Sequence, residues 1–133
     1  LVLAGASVEH GGDLPEVFAD AGQITILFRN LIHNAIKYRR PDVPLKITID
    51  AEVDRTGFAR VRVRDNGIGF DEKYLDQIFA PFKRLHTHAE YEGTGLGLAI
   101  CQRIAVLHGG NITARSAPGE GAVFIVSIPV RKL

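Results

Sequence analysis

The sequence predicts an α+β fold, one mostly antiparallel sheet with helices on one face. Three observations predict it. Leu45–Val53 and Phe58–Arg64 alternate apolar and polar residues, as half-buried strands do. Two long segments, from about Gln23 to Arg39 and from Gly95 or Leu96 to about His108, space their apolar residues as helices do. A last pair of apolar runs, Asn111–Ala117 and Ala122–Val130, flanks Pro118-Gly119-Glu120-Gly121 as a hairpin. Strand pairs alternating with helices in this order build one layer of each.

The elements follow in order. Leu1–Ser7 and Glu16–Ala19 read as short strands around a turn containing Gly11-Gly12-Asp13. In the first long helix Ile24, Leu27, Leu31, Ala35 and Ile36 keep helical spacing, and Pro41 and Pro44 end it. Asp54–Gly57 turns the chain from one alternating strand into the next. A short helix is expected from about Glu72 to Phe79, then a polar loop over 81–95. Gly109-Gly110 stops the second long helix. No repeat, low-complexity tract or linker divides the chain, so residues 1–133 read as a single domain.

The chain has 133 residues, enough for one real core, with 46% hydrophobic and 23% charged residues. Its net charge of +1 gives no global field for nucleic acid or an anionic membrane. No apolar run approaches the roughly 20 residues that span a bilayer, so no direct membrane contact is expected. The single cysteine, Cys101, stands among Leu98, Ala99, Ile100 and Ile104 and reads as a buried small hydrophobe. The absence of an initiating Met leads us to expect a piece of a longer protein.

Asp65-Asn66-Gly67-Ile68-Gly69-Phe70 is the most informative stretch. A carboxylate stands where an apolar strand runs out, beside two glycines that permit unusual backbone angles and close approach. A carboxylate there suits a flat, amine-bearing group such as adenine. Read alone, the stretch is equally a strand-ending turn.

The first long helix carries Asn30, Asn34, Lys37 and Tyr38, whose spacing places them on one face. Asparagine is a poor helix-interior residue. Its amide oxygen suits Mg²⁺, with Lys37 placed beside phosphates. The alternative is a solvated polar stripe. The second glycine cluster, Gly93-Thr94-Gly95-Leu96-Gly97-Leu98, opens a helix. Backbone N–H groups there suit phosphate, although glycines at alternate positions match neither a P-loop nor a dinucleotide fingerprint. Its alternative is close helix packing. Phe79 and Phe82 are placed to anchor a polar lid in which Lys83 or Arg84 reaches a phosphate, and a plain solvated loop fits equally. Gly119-Glu120-Gly121 alone reads as a hairpin turn.

Taken in order, these motifs resemble the ATP-binding catalytic domain of sensor histidine kinases. That domain belongs to the superfamily of gyrase B, MutL and the ninety-kilodalton heat-shock chaperones. The resemblance covers about Gly12 to Pro129, and Asn30–Tyr38 looks especially like kinases of the phytochrome and PAS-sensor type. It implies a two-layer α/β sandwich (the Bergerat fold), with a mixed sheet under about three helices. It implies ATP and Mg²⁺ as ligands, with Asn34 on the metal and Lys37 and Tyr38 against the phosphates. Asp65 would accept from the adenine amine, with Gly67, Gly69 and Phe70 shaping the pocket. Phe79 and Phe82 match the F box. Gly93, Gly95 and Gly97, with Thr94, Leu96 and Leu98 between and after them, match the box that holds the phosphates. Gly119 and Gly121 match the terminal glycine box. Ala122 departs from the Ser or Thr frequent there, so any hydrogen bond that side chain makes would be absent.

The candidate catalytic residues are Asn30, Asn34 and Lys37. Hydrolysing members of the superfamily carry a general-base Glu four residues before the metal-binding Asn. Here that position is Asn30, and an amide cannot take the proton. The resemblance therefore implies transfer to a histidine on a separate dimerisation domain of the same protein. A response regulator would act downstream, within a homodimeric, cytoplasmic or membrane-anchored parent. None of His10, His33, His86, His88 and His108 has the flanking residues of an acceptor histidine. The alternatives are an ATP hydrolase or clamp of the same superfamily and a serine kinase of the anti-sigma type.

Overall fold

A computed structural model describes residues 2–3, 6–10, 17, 19–80 and 97–130. Asp20 starts the first helix, α1 (Ala21–Lys37), its side chain accepting from Gln23 N–H. That bond satisfies one of the four donors a helix start leaves unpaired. Leu27, Leu31 and Ala35 form the buried stripe of α1, and Tyr38 caps its end.

Among the described residues six strands make one sheet in the order β1-β2-β3-β4-β6-β5. They are β1 (Val2–Leu3), β2 (Ala6–His10), β3 (Leu45–Val53), β4 (Phe58–Asp65), β5 (Asn111–Ser116) and β6 (Ala122–Pro129). β2 and β3 run parallel, and every other pairing is antiparallel. A parallel pair needs a long crossover, which α1 supplies. Between β4 and β5 come a 3₁₀ turn (Glu72–Tyr74), a single-turn helix α2 (Leu75–Ile78) and α3 (Gly97–Leu107).

Alternation decides which face of the sheet is covered. Leu45, Ile47, Ala59, Val63, Ile112, Ala114, Phe124, Val126 and Ile128 are buried on one face. Most of them form one core with Leu27, Leu31 and Ala35 of α1 and Cys101, Ile104 and Ala105 of α3. The other face pairs Asp50 with Arg62 and Glu52 with Arg60, and Arg62 forms ion pairs with both Asp50 and Glu52. The two-layer architecture is thus the expected one, and no helix among the described residues is long and apolar enough to cross a membrane.

The N-terminal expectation holds in part. The strand expected over Leu1–Ser7 is present as Val2–Leu3 and the start of Ala6–His10, whereas Val17 and Ala19, expected in a second strand, are not in one but pack on the core as the chain turns into α1. Gly11-Gly12-Asp13 and Glu16 lie outside the described residues. His108, at the end of α3, clasps the start of α1: its Nε2 accepts from Asp20 N–H at 3.1 Å, which leaves Nδ1 to donate to Ile104 O at 2.8 Å.

Candidate functional site

Asp65 ends β4 on the same side as Ala59 and Val63, so its carboxylate enters the space between sheet and helices. Oδ1 accepts from Gly67 N–H at 2.8 Å and from Ala122 N–H at 3.3 Å. No donor among the described residues reaches Oδ2. Burial raises the pKa of this carboxyl above its ordinary value, and the two backbone bonds oppose that rise. Position 122 touches the carboxylate through its backbone N–H, which any residue there but proline carries.

The loop after Asp65 is tied on both sides. Ile68 N–H donates to Tyr38 O at 3.0 Å, and Gly119 N–H donates to Ile68 O at 2.7 Å. Asn66 donates to Pro44 O at 3.1 Å and accepts from Lys46 N–H at 2.8 Å through its side chain, while Arg40 Nε donates to its carbonyl at 3.0 Å. A Cβ on Gly67 would lie 2.6 Å from Tyr38 O. Gly69 has φ +67°, and a Cβ there would strike Ala117 O. Glycine is therefore required at 67 and 69 by neighbouring protein backbone.

α1 carries the polar residues along a wall about 10 Å long from Asn30 to its end, at 1.5 Å per residue. Asn30 Nδ2 donates to Ile26 O at 3.0 Å, and Asn30 Oδ1 stands 3.4 Å from where a Cβ on Gly97 would lie. No such bond occupies the Asn34 amide among the described residues. Lys37 Nζ lies 5.1 Å above the Tyr38 ring. Tyr38 itself is the C-cap, and its N–H still donates to Asn34 O at 3.1 Å, so it continues the row of Asn30, Asn34 and Lys37 at the end of the helix.

Gly97 opens the described part of α3 beside Asn30. Among the described residues its absent Cβ would meet only Asn30, at 3.4 Å, so packing of α3 against α1 does not account for this glycine. Phe70 and Leu98 pack against the core, and Phe79 is buried edge-to-face against Phe124 at 6.3 Å. Phe82, Lys83, Arg84, Gly93, Thr94, Gly95 and Leu96 lie outside the described residues.

Three further contributions hold the site together. Gly121 has φ +75°, and a Cβ there would strike Asp65 O, so the final hairpin packs against the Asp65 loop. Ser116 Oγ accepts from Phe70 N–H at 2.8 Å and donates to Gly121 O at 2.6 Å. Asn66 staples the loop to β3, as described. Only Gly121 had a cue, its place in the late Gly-x-Gly.

The site is thus a half-satisfied carboxylate at one strand end of a sheet-and-helix sandwich whose first helix carries two asparagines one turn apart. Residues 19–132 match the family described as histidine kinase-, DNA gyrase B-, and HSP90-like ATPase, and the chain belongs to that family. It is 50% identical over 128 residues to cyanobacterial phytochrome A of Nostoc sp., an alignment covering 95% of this chain and 16% of the phytochrome. The nucleotide-free catalytic domain of the histidine kinase ThkA superposes with a TM-score of 0.75 at 34% identity, over 95% of this chain and 81% of that one. Full-length ShkA, solved in complex with AMPPNP, gives a TM-score of 0.81 at 27% identity, over 97% of this chain and 26% of that one. The chain is therefore a catalytic domain of the histidine-kinase type, spanning about one sixth of the phytochrome relative's length.

Proposed function

We propose that this domain binds Mg·ATP and passes the γ-phosphate to a histidine on a separate dimerisation domain of a longer, homodimeric protein. The observation that carries the reading is Asp65: Oδ1 is held by two backbone N–H groups, and Oδ2 is left to accept from an exocyclic amine. The AMPPNP held by full-length ShkA supports a nucleotide here.

Each residue then has a part. Asp65 receives the adenine amine. Asn34 would offer Mg²⁺ a neutral, hard oxygen ligand of the kind that ion takes. Mg²⁺, when bound, neutralises the charge that develops on the transferring phosphoryl group. Lys37 and Tyr38 lie along the phosphates. By the family resemblance, the backbone of Gly93, Gly95 and Gly97 would hold them, with Thr94, Leu96 and Leu98 part of the same motif, and Lys83 or Arg84, following Phe82 in sequence, would reach a phosphate. Asn30 cannot remove a proton from water, which argues against the hydrolase reading. The incoming imidazole nitrogen forms the bond to the γ-phosphorus as the bond to the bridging oxygen breaks, and ADP leaves in line. A receiver domain of a response regulator takes the phosphoryl group next, in the cytoplasm.

Calorimetric titration with Mg·ATP tests this. We expect binding by the wild type and its loss in Asn34→Ala and Asp65→Ala, with both variants folded. Unchanged affinity in both would sink the reading.

A further inference from the structure

We propose that Ser116 is a positioning residue for adenine recognition: its hydroxyl fixes the peptide unit between Gly121 and Ala122 and so aims the Ala122 N–H at Asp65. The proposal rests on the assignment of Asp65 to the base.

Gly121 C=O and Ala122 N–H belong to one planar, trans peptide group, so they point in opposite directions from a rigid plate. Ser116 Oγ–H holds the oxygen of that plate at 2.6 Å, and the N–H on its other side reaches Asp65 Oδ1 at 3.3 Å. The same Oγ accepts from Phe70 N–H at 2.8 Å, where the Asp65 loop ends. A hydroxyl can donate and accept at once, which is what joining a carbonyl to an N–H requires. Ser116 is also Ala122's direct partner across the β5–β6 ladder, and its own N–H is held by Glu72 Oε2 at 3.2 Å. Removing the hydroxyl therefore leaves the strand tied down and frees the plate, together with the Phe70 N–H at the end of the Asp65 loop.

Once the plate can rock, Oδ1 loses a fixed donor and the carboxylate can turn about its broad terminal torsion. Oδ2 then no longer meets the amine of adenine in a set direction. A base with a 6-keto group in place of the amine gains nothing from that aim, so its binding should not suffer.

The test compares Ser116→Ala, Ser116→Val and Ser116→Thr with the wild type, measuring Kd for Mg·ATP and Mg·ITP by calorimetry and the melting temperature of each variant. We expect Ser116→Ala and Ser116→Val to weaken ATP by about fivefold to tenfold, the size of one hydrogen bond's net effect, with ITP changed by less than about twofold on the same scale. Ser116→Thr should keep the wild-type ratio of the two affinities. Should the alanine variant not fold, valine and threonine are close in size and differ by the hydroxyl, and give the same comparison. An unchanged ATP-to-ITP ratio in the alanine and valine variants, or equal losses for both nucleotides, overturns the role of Ser116. A wild type that binds ATP and ITP equally overturns the assignment of Asp65, and the proposal with it.

Discussion

The backbone N–H of Ala122 donates to Oδ1 of Asp65 at 3.3 Å, joining the first residue of β6 to the last residue of β4. The two are direct partners in the antiparallel ladder. With Gly67 N–H on the same oxygen at 2.8 Å, the carboxylate has one occupied and one available oxygen. Its orientation is set by backbone groups, which no substitution at 122 except proline would remove.

That asymmetry makes Asp65→Asn informative. The amide oxygen should take the two N–H bonds, leaving Nδ2 where Oδ2 stood. A donor then faces the adenine amine, while the 6-keto oxygen of inosine finds a partner. ATP affinity should fall on the order of 100-fold, since a site built to hydrogen-bond one group rejects its opposite, and ITP should bind more tightly than ATP. Competition between the two nucleotides on the variant measures this, and a retained preference for ATP contradicts it.

The same substitution bears on stability. Burial raises the folded-state pKa of Asp65 above its unfolded value. A raised carboxyl stabilises the fold fully below an unfolded pKa of about 3.9. That contribution is lost as the pH rises through the folded value. At pH 7 the ionised carboxylate counts against the fold. Asp65→Asn should therefore melt higher than the wild type at pH 7, with the gain shrinking below about pH 4. Calorimetric melts at the two pH values check the sign, and a gain that grows on acidification contradicts it.

Two glycines should behave in opposite ways. Gly121→Ala forces a side chain into positive φ and onto Asp65 O, and should cost about 2 kcal/mol or more of stability. Gly97→Ala meets only an ordinary contact with Asn30 and gains helix propensity of up to about 1 kcal/mol. It should fold as well as the wild type yet bind Mg·ATP more weakly, because a Cβ would obstruct the approach of phosphates. Denaturant melts and titrations of both variants separate the two effects.

Cys101 is fully buried, its Sγ donating to Leu27 O at 3.4 Å, and burial pushes the thiol pKa up to about 12. Since the thiolate is the reactive form, an aromatic disulfide reagent should leave the native domain unlabelled, and labelling in denaturant should follow unfolding. Rapid labelling of the native domain would contradict the burial.

Local periodicity made much of the fold legible. Leu45–Val53 and Phe58–Asp65 are strands because their alternation needs no distant partner to be seen. α1 begins at Ala21, two residues before its periodicity predicts, because Asp20 caps it through Gln23 N–H. β2 was legible only at Ala6 and Ser7: its extension to His10 comes with parallel pairing to Leu45–Ile49, far along the chain. The site divides in the same way. Asp65, Asn34 and Gly97 stand out by residue type and spacing. Ser116 and Asn66 look like any strand-end serine and turn asparagine, and only folding brings Ser116 to Gly121 and Asn66 to Pro44.

The central claim is that Asp65 reads the amine of adenine, and parallel calorimetric titrations of the wild-type chain with Mg·ATP, Mg·ITP and Mg·GTP test it most directly. The account predicts that ATP binds much more tightly than either 6-keto nucleotide. Equal affinity for all three would contradict it.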